Sequence, residues 1–550
     1  MAANATPDAP HPSAAGRVAS AAKIMVAAIL LSRVLGLARD MVASYYFGAK
    51  VSPVADAYKS AFRLPDLLYY LIAGGALSTA FIPVFTEYLE AKDEENAWKV
   101  FSVFGTVIFI ALCGLIIAGE VFTEPLLTLL APGFPPDKLA LTASLTRIIL
   151  PAQLCFFVGG LMMATLQVRN RFLIPALGPV VYNLMIIIGG VIGGVAYGSY
   201  YGIYGFAWGV VAGAIVSNVL MMLWEMRRVG CRYRPSLDIR HPGVVKVAKL
   251  MAPVLLGLSL PQLHIILTTP FASRLDQGAV TWLDNANKVM QMPLGIFAQA
   301  LSVAIFPTLS SLAARRDLPE LRKHFSLGLR AILFLTIPSA ALTFVLATPI
   351  TALLFQRGNW TWDDTVATAS ATAIYSLAIF AVSGQQIVNR GFYAMQNTLT
   401  PMLIGTVATV GFIGLNAVLM GPLKTNGLAL AYVITNAVTF GGLLAAYHRH
   451  IGGLPLVEIA TSVGRVTLAS AGLGAAAWGT ATTLQTALPA YGPTGVRLLP
   501  ALLQIGLSTT VGGVAYLALV RLLKAPESEF VFGAVMRRLR RTRGTPTAEK

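Results

Sequence analysis

Between Val18 and Leu523 the sequence is a succession of apolar runs, many of them longer than the ~18 residues a helix needs to cross about 30 Å of hydrocarbon. Few patterns constrain a chain more. Inside a bilayer every backbone N–H and C=O must find its partner within the chain, which leaves only helices or a closed barrel. The alternating pattern of barrel strands is absent, so the chain reads as an all-α polytopic membrane protein. Composition agrees: 56% of residues are hydrophobic and 12% are charged, where soluble proteins carry about 25% charged residues.

Gly, Pro and charge punctuation divides the runs into about fourteen transmembrane helices. Residues 1–17 form a Pro/Ala-rich tail that reads as disordered and lacks the charged start and short apolar core of a signal peptide. Residues 18–228 hold six spans and 229–243 a cytoplasmic linker. Residues 244–450 hold six more spans, 451–523 two additional helices, and 524–550 a basic cytoplasmic tail. One alternate set of connections carries sixteen Lys and Arg, Lys99, Arg228 and Arg316 among them; the other carries six, including Lys50, Lys138 and Lys424. The richer set is expected on the cytoplasmic side, with both termini. The net charge of +17 then fits loops facing anionic lipid headgroups rather than nucleic acid. Cys113, Cys155 and Cys231 show no metal or disulfide spacing.

The chain also contains itself twice. "AAKIMVAAIL" (21–30) aligns with "VAKLMAPVLL" (247–256), and "LSTAFIPVFTEYL" (77–89) with "LSVAIFPTLSSLA" (301–313). Further matches keep an offset of 222 to 226 residues, and that shared register gives the set its weight. An even number of spans per copy makes the repeats parallel, related by an axis along the membrane normal, with a substrate site expected between them.

Ionisable groups at depth point to such a site. Arg33 lies roughly 22 Å into the first span at 1.5 Å per residue, too deep to snorkel. Arg33 and Asp40 are seven residues apart and share a face, with Arg39 beside Asp40. Lys59, Arg63 and Asp66 recur at i, i+4, i+7; Asp284, Lys288 and Gln291 repeat that spacing at nearly the same repeat position. Pairs such as Arg39 with Asp40 or Asp284 with Lys288 are the structural alternative. Across the whole set cations exceed acids, so the excess calls for an anion, and guanidinium suits phosphate through paired N–H donors. Arg390 either lines the cavity or satisfies helix carbonyls, and Arg147 is equally open. Arg330 and Arg465 read as snorkelling residues near span ends, His264 as a packed or hydrogen-bonded core residue rather than a proton relay. "GGVIGG" (189–194) reads as a helix-packing surface. No phosphate-binding loop, H-E-x-x-H, C-x-x-C or G-x-S-x-G occurs, and Asp363–Asp364 reads as a helix cap after "NWTW".

"SRVLGLARD", "ADAYKSAFRLPDLL", "APGF", "RNRFLIPALGPVVYN", "MPLGIFAQALSVAIFPTLS" and "GFYAMQNTLTP" resemble the MurJ (MviN) family of lipid II flippases, part of the multidrug/oligosaccharidyl-lipid/polysaccharide exporter superfamily. The resemblance implies two six-helix lobes in a V, two C-terminal helices lining a lipid-tail groove, and alternating access from inner to outer leaflet. It implies lipid II (undecaprenyl-diphosphate-linked disaccharide-pentapeptide) and membrane lipids as partners, the cell-wall synthesis machinery as a further one, and a monomer in the bacterial inner membrane. It carries essential roles onto Arg33, Arg39 and Asp40, and the family's acid after the first loop onto Asp56. With the charge stripes this makes Arg33, Arg39, Asp40, Asp56, Lys59, Arg63, Asp284, Lys288, Gln291 and Arg390 the candidate substrate-binding residues. The sequence departs from some relatives at Tyr69, Tyr70 and Gly74, where those carry a basic pair and an acid, and at Lys288, where an arginine is common. Spans 7, 11 and 12 hold no acid, which argues against the sodium site of some relatives; membrane potential or another ion is the expected driving force, and no cofactor is expected. The alternatives are a flippase for another lipid-linked oligosaccharide, a drug exporter of the same superfamily, or, outside it, a polytopic glycosyltransferase or scaffold.

Overall fold

The computed structural model describes residues 14–72, 76–259, 264–525 and 527. Most of the sequence tail 1–17 and nearly all of the basic segment 524–550 lie outside the described residues; the first helix, Ala14–Phe47, begins four residues earlier than the first span was expected to.

Apart from one two-stranded turn, the described secondary structure is helical. Among the described residues nine helices are long and apolar enough to cross a membrane, and the pair Trp362–Ser376 and Ile379–Ala394, bent by 42°, is a tenth candidate. The 52-residue helix Leu399–His450 would run about 78 Å if straight. It breaks at Lys424, where φ 48° and ψ −130° leave the helical region just after Pro422, so it supplies two antiparallel-capable segments rather than one rod. Large apolar side chains stand bare on the outside, Val195 at 74%, Val407 at 73% and Val457 at 80% exposure. In water such a surface would aggregate; against lipid tails it carries no cost. The chain is a multi-pass, all-α membrane protein.

The chain forms two compact units. The first comprises the residues up to Ala43 with Leu64–Leu126 and Ala140–Leu256; the second comprises Ser44–Arg63, Leu127–Leu139 and everything from Gly257.

In the first unit the helices Leu173–Tyr201 and Ile203–Ala214 lie backbone to backbone. A Cβ at Gly189 or Gly193 would overlap the carbonyls of Gly205 and Gly202, which explains the glycine run as a close-packing surface. An aromatic cluster of Phe81, Phe85, Trp98, Phe101 and Phe104 fills the interior near helix Glu94–Val121, which Asp93 caps by accepting the Asn96 N–H at 3.2 Å. The linker crosses that helix: the Arg234 N–H donates to Ser102 Oγ at 3.0 Å, and Lys99 pairs with Asp238 at 2.9 Å.

In the second unit Phe325, Phe392 and Tyr447 lie at the centre of a continuous apolar core. Helices Leu456–Ala487 and Leu498–Leu522 form a hairpin against Leu318–Val345, where Tyr516 donates its hydroxyl to the Phe334 carbonyl at 2.7 Å. Arg330 and Arg465 do not simply snorkel. Arg330 lies 3.4 Å from the buried Glu527 carboxylate and Arg465 donates to the Lys524 carbonyl at 2.9 Å, so both tie down the chain after the last helix.

Candidate functional site

The second unit draws two short segments of the first half of the chain, Ser44–Arg63 and Leu127–Leu139, onto second-half helices. Asp56 is the centre of that union. It sits in the helix Val54–Ala61, every residue of which is buried, and is itself 1% exposed. Its carboxylate accepts Lys138 Nζ at 2.8 Å, the Gly278 N–H at 2.8 Å, the Thr281 N–H at 2.9 Å and the Thr281 hydroxyl at 2.6 Å.

The local sequence explains this arrangement. Helix Ala279–Pro293 starts after Gly278, which has φ 102° and no side chain to cap the first turn. The orphan N–H groups there carry the positive end of the helix dipole and need an acceptor. Asp56 supplies it from more than two hundred residues away, and the same oxygens neutralise Lys138, whose ammonium also lies 4.2 Å over the Phe134 ring. All of these charges are spent inside the protein, so Asp56 and Lys138 fasten this end rather than offer it to a ligand.

A second clasp lies on Asp364. Thr361 and Asp364 form a reciprocal capping box at the start of Trp362–Ser376, as the "NWTW" reading expected. Asp364 does more: it also accepts the Lys50 backbone N–H and the Trp282 indole N–H, both at 2.9 Å. Around it the Asn359 N–H reaches the Tyr45 carbonyl at 2.9 Å, Gln277 donates to the Lys50 carbonyl at 2.9 Å, and the Gly133 N–H reaches Ser273 Oγ at 3.1 Å. Lys50 and Asp363 pair outside at 2.6 Å, largely in the open.

Arg63 is the third link. It is 4% exposed, donates Nε to Thr269 Oγ1 at 2.8 Å and Nη2 to Asp284 Oδ1 at 2.7 Å. Asp284 thus takes a cross-chain partner that spacing along its own helix does not reveal. Beside the pair is a cavity of about 20 Å³, lined by Thr268, Thr269, Asn287 and Tyr375, with room for about one water.

In the first unit, Arg39 lies 3.6 Å from Asp40, the neighbour pair foreseen as the structural alternative. Arg33 is exposed and Asp40 buried, so the shared face inferred from their spacing does not give them one environment. Of the other candidates, Lys59 is buried at 7% exposure and Lys288 half-buried. Gln291 is exposed and donates to Asn287 at 2.6 Å. Among the described residues Arg390 meets an aromatic ring rather than a carbonyl: its guanidinium lies 5.2 Å over the Phe306 ring. Arg147 pairs with Glu124 at the surface at 3.2 Å, and His264 stacks on Phe412 at 4.7 Å between centroids. Tyr69 stands edge-on to Tyr70 and to Phe156; Gly74 lies outside the described residues. The three cysteines are free and half-buried.

Sequence reasoning missed Lys138, Gly278, Thr281, Thr269 and Asp364 as members of these clasps. Lys138 counted only as a loop charge; no local pattern marks a side chain whose partner lies in another helix.

The second unit also carries an apolar cleft of about 470 Å³ between helices Leu318–Val345 and Leu456–Ala487, lined by Phe344, Val345, Leu377, Gly474 and Trp478 among others.

Comparison with known proteins gives a consistent result. Residues 43–492 match a family model described as lipid II flippase MurJ. The chain is 32% identical over 417 residues to a probable lipid II flippase MurJ of Buchnera aphidicola, covering 75% of this chain and 80% of that one. It is 33% identical over 384 residues to the lipid II flippase MurJ of Burkholderia cenocepacia, covering 68% and 73%. Its fold resembles a solved lipid II flippase MurJ in an inward closed conformation, with a TM-score of 0.74 at 24% identity over 93% of this chain and 99% of that one. It also resembles an inward-facing multidrug resistance MATE family transporter of the MOP superfamily, with a TM-score of 0.64 at 15% identity over 76% of this chain and 94% of that one.

Proposed function

This chain belongs to the MurJ family of lipid II flippases, and from that premise we propose how its residues carry lipid II across the membrane. It is a transporter, not an enzyme: it moves the lipid-linked peptidoglycan precursor across the inner membrane for cell-wall synthesis.

The proposed architecture is fourteen spans in two parallel six-helix lobes, 18–228 and 244–450, followed by two helices. The observation that supports the mechanism is that helices at corresponding places in the two halves of the sequence meet. Asp56 bonds Gly278 and Thr281 at sequence separations of 222 and 225, and Arg63 bonds Asp284 at 221. Two of these separations fall within the repeat offset of 222 to 226 and the third lies one residue below it. Equivalent residues of two copies meet only near the axis that relates them, so this favours a two-lobe carrier with a gate on its axis. The Lys/Arg-poor connections share this end, which supports assigning it to the outside, with both termini in the cytoplasm. Alternating access then requires the Asp56, Asp364 and Arg63 clasps to open as lipid II passes outward.

Within the cavity Arg33, Arg39 and Lys288 are the proposed diphosphate contacts. Asp40 orients or balances Arg39, and Lys59 and Gln291 contribute to the polar lining. The lipid tail stays in the bilayer side, with the cleft at Trp478 as its groove. The protein works as a monomer, and membrane potential acting on the charged cavity is the driving force. Native mass spectrometry with lipid II, on wild type and on Arg33→Ala/Arg39→Ala, tests the contacts. The double variant should retain far less lipid; equal retention removes these arginines from the site.

A further inference from the structure

Arg63 poses a problem that the flippase reading does not by itself solve. Its guanidinium is buried in the second unit and held by two partners, Thr269 and Asp284. The pair joins a helix of the first repeat to one of the second, and lies one to two turns beyond Asp56 on the same stretch. When this end opens, Asp284 and Thr269 leave. A guanidinium cannot lose its proton, and a buried unpaired charge is among the costliest defects a protein interior can hold. Something anionic must replace Asp284.

The site also shows which partner exchanges. The Arg63 side chain is 5% exposed and the Asp284 side chain 14%, so the carboxylate is the member on the accessible side. The neighbouring cavity, about 20 Å³, has Thr268, Thr269, Asn287 and Tyr375 on one part of its wall and Ile265, Val280 and Leu283 on the rest. It is far too small for a diphosphate while the pair is closed.

We propose that Asp284 is an internal stand-in for a phosphate oxygen of the substrate: Arg63 is bonded to Asp284 when the carrier is empty and to the diphosphate when it is loaded. This rests on the lipid II reading above. Substrate competes directly for the residue that fastens the gate, so loading unfastens it and release lets Asp284 return. The competition also sets specificity, since a neutral lipid cannot displace a carboxylate. No covalent step is involved, only an exchange of one oxyanion for another on the same N–H donors.

The test uses the full-length protein in lipid nanodiscs, with inorganic pyrophosphate and lipid II as separate probes. Asp284→Asn removes the internal competitor and should tighten binding of both probes about tenfold, within the range of coupled equilibria. It should also slow transport, because the gate no longer refastens. In Arg63→Ala/Asp284→Asn the gain should vanish. A merely structural pair would leave affinity unchanged or lowered in Asp284→Asn, and a gain that survives loss of Arg63 would equally overturn the proposal.

A second measurement leaves the pair intact. Spin labels at Lys50→Cys and Asp363→Cys, with Cys113, Cys155 and Cys231 replaced by Ser, should move apart when pyrophosphate is added; an unmoved distance at saturation contradicts the exchange. If lipid II fails to bind wild type while pyrophosphate still opens the gate, the substrate assignment falls and the exchange stands.

Discussion

The Asp56 carboxylate accepts both the backbone N–H and the hydroxyl of Thr281, at 2.9 and 2.6 Å. An acid in the first half of the chain therefore caps a helix in the second, and a lysine shares the same oxygens. Removing one member of a buried pair leaves the other charge stranded, at a cost of about 3–5 kcal/mol. Asp56→Ala should therefore open this end, seen as longer spin-label distances across it and a lower melting temperature. Asp56→Asn should be milder, because it keeps one acceptor for the helix. A closed distance in Asp56→Ala would show that the clasp is not needed for closure.

Two adjacent aspartates should behave very differently. Asp364 is fully buried and accepts N–H groups from Lys50, Trp282 and Thr361. Asp364→Ala leaves those donors unpaired, and buried unpaired donors cost about 1–3 kcal/mol each. Asp363 makes only an exposed ion pair with Lys50, of a kind that contributes little. Thermal unfolding in detergent should show a clear drop for Asp364→Ala and a melting temperature indistinguishable from wild type for Asp363→Ala.

Backbone contact at the same end is equally specific. A Cβ at Gly133 would overlap the Ser273 carbonyl and come within 2.6 Å of the Arg274 Cα. Gly133→Ala should therefore wedge the Asp56 end apart and lower stability. Gly414, in helix Leu399–His450, has nothing within 4 Å of the added Cβ. There alanine should leave stability unchanged or raise it slightly, by helix propensity. Equal melting temperatures for both variants would contradict the close approach.

How much of this was legible beforehand follows from the range of each interaction. Apolar runs report burial residue by residue, so the all-α membrane class was readable directly. The Thr361–Asp364 cap was readable too, because its partners are three residues apart. The spacing that grouped Lys59, Arg63 and Asp66 describes one helix face and is blind to what faces it. Arg63 therefore looked like a free cation, although Asp284, on the aligned stripe of the second repeat, neutralises it. Arg390 was hidden in the same way by an aromatic ring on another helix. The repeat offset held part of the missing information: Asp56 and Arg63 bond residues within three positions of the ones they align with.

A pH dependence is built into the linker. His241 Nδ1 accepts the Gly243 N–H at 3.2 Å, so Nε2 carries the proton donated to Asn96 Oδ1 at 3.1 Å. Burial first, and then the Lys99 ammonium, hold its pKa below the ordinary 6.5. The unfolded chain thus binds this proton more readily than the folded one. The stabilising contribution is complete above pH 6.5 and is lost as pH falls through the lower folded value. Melting curves between about pH 7.5 and 5 should show that loss in wild type, and His241→Gln should flatten it.

We propose that lipid II crosses through a cavity whose cations grip its diphosphate. The most direct measurement is lipid II accessibility at the outer surface of cells in which this chain is the sole flippase. Wild type should sustain growth and externally accessible lipid II, and Arg33→Ala/Arg39→Ala should lose both while still reaching the membrane. Accumulation of lipid II on the inner leaflet despite normal membrane levels of the wild-type protein would contradict the account.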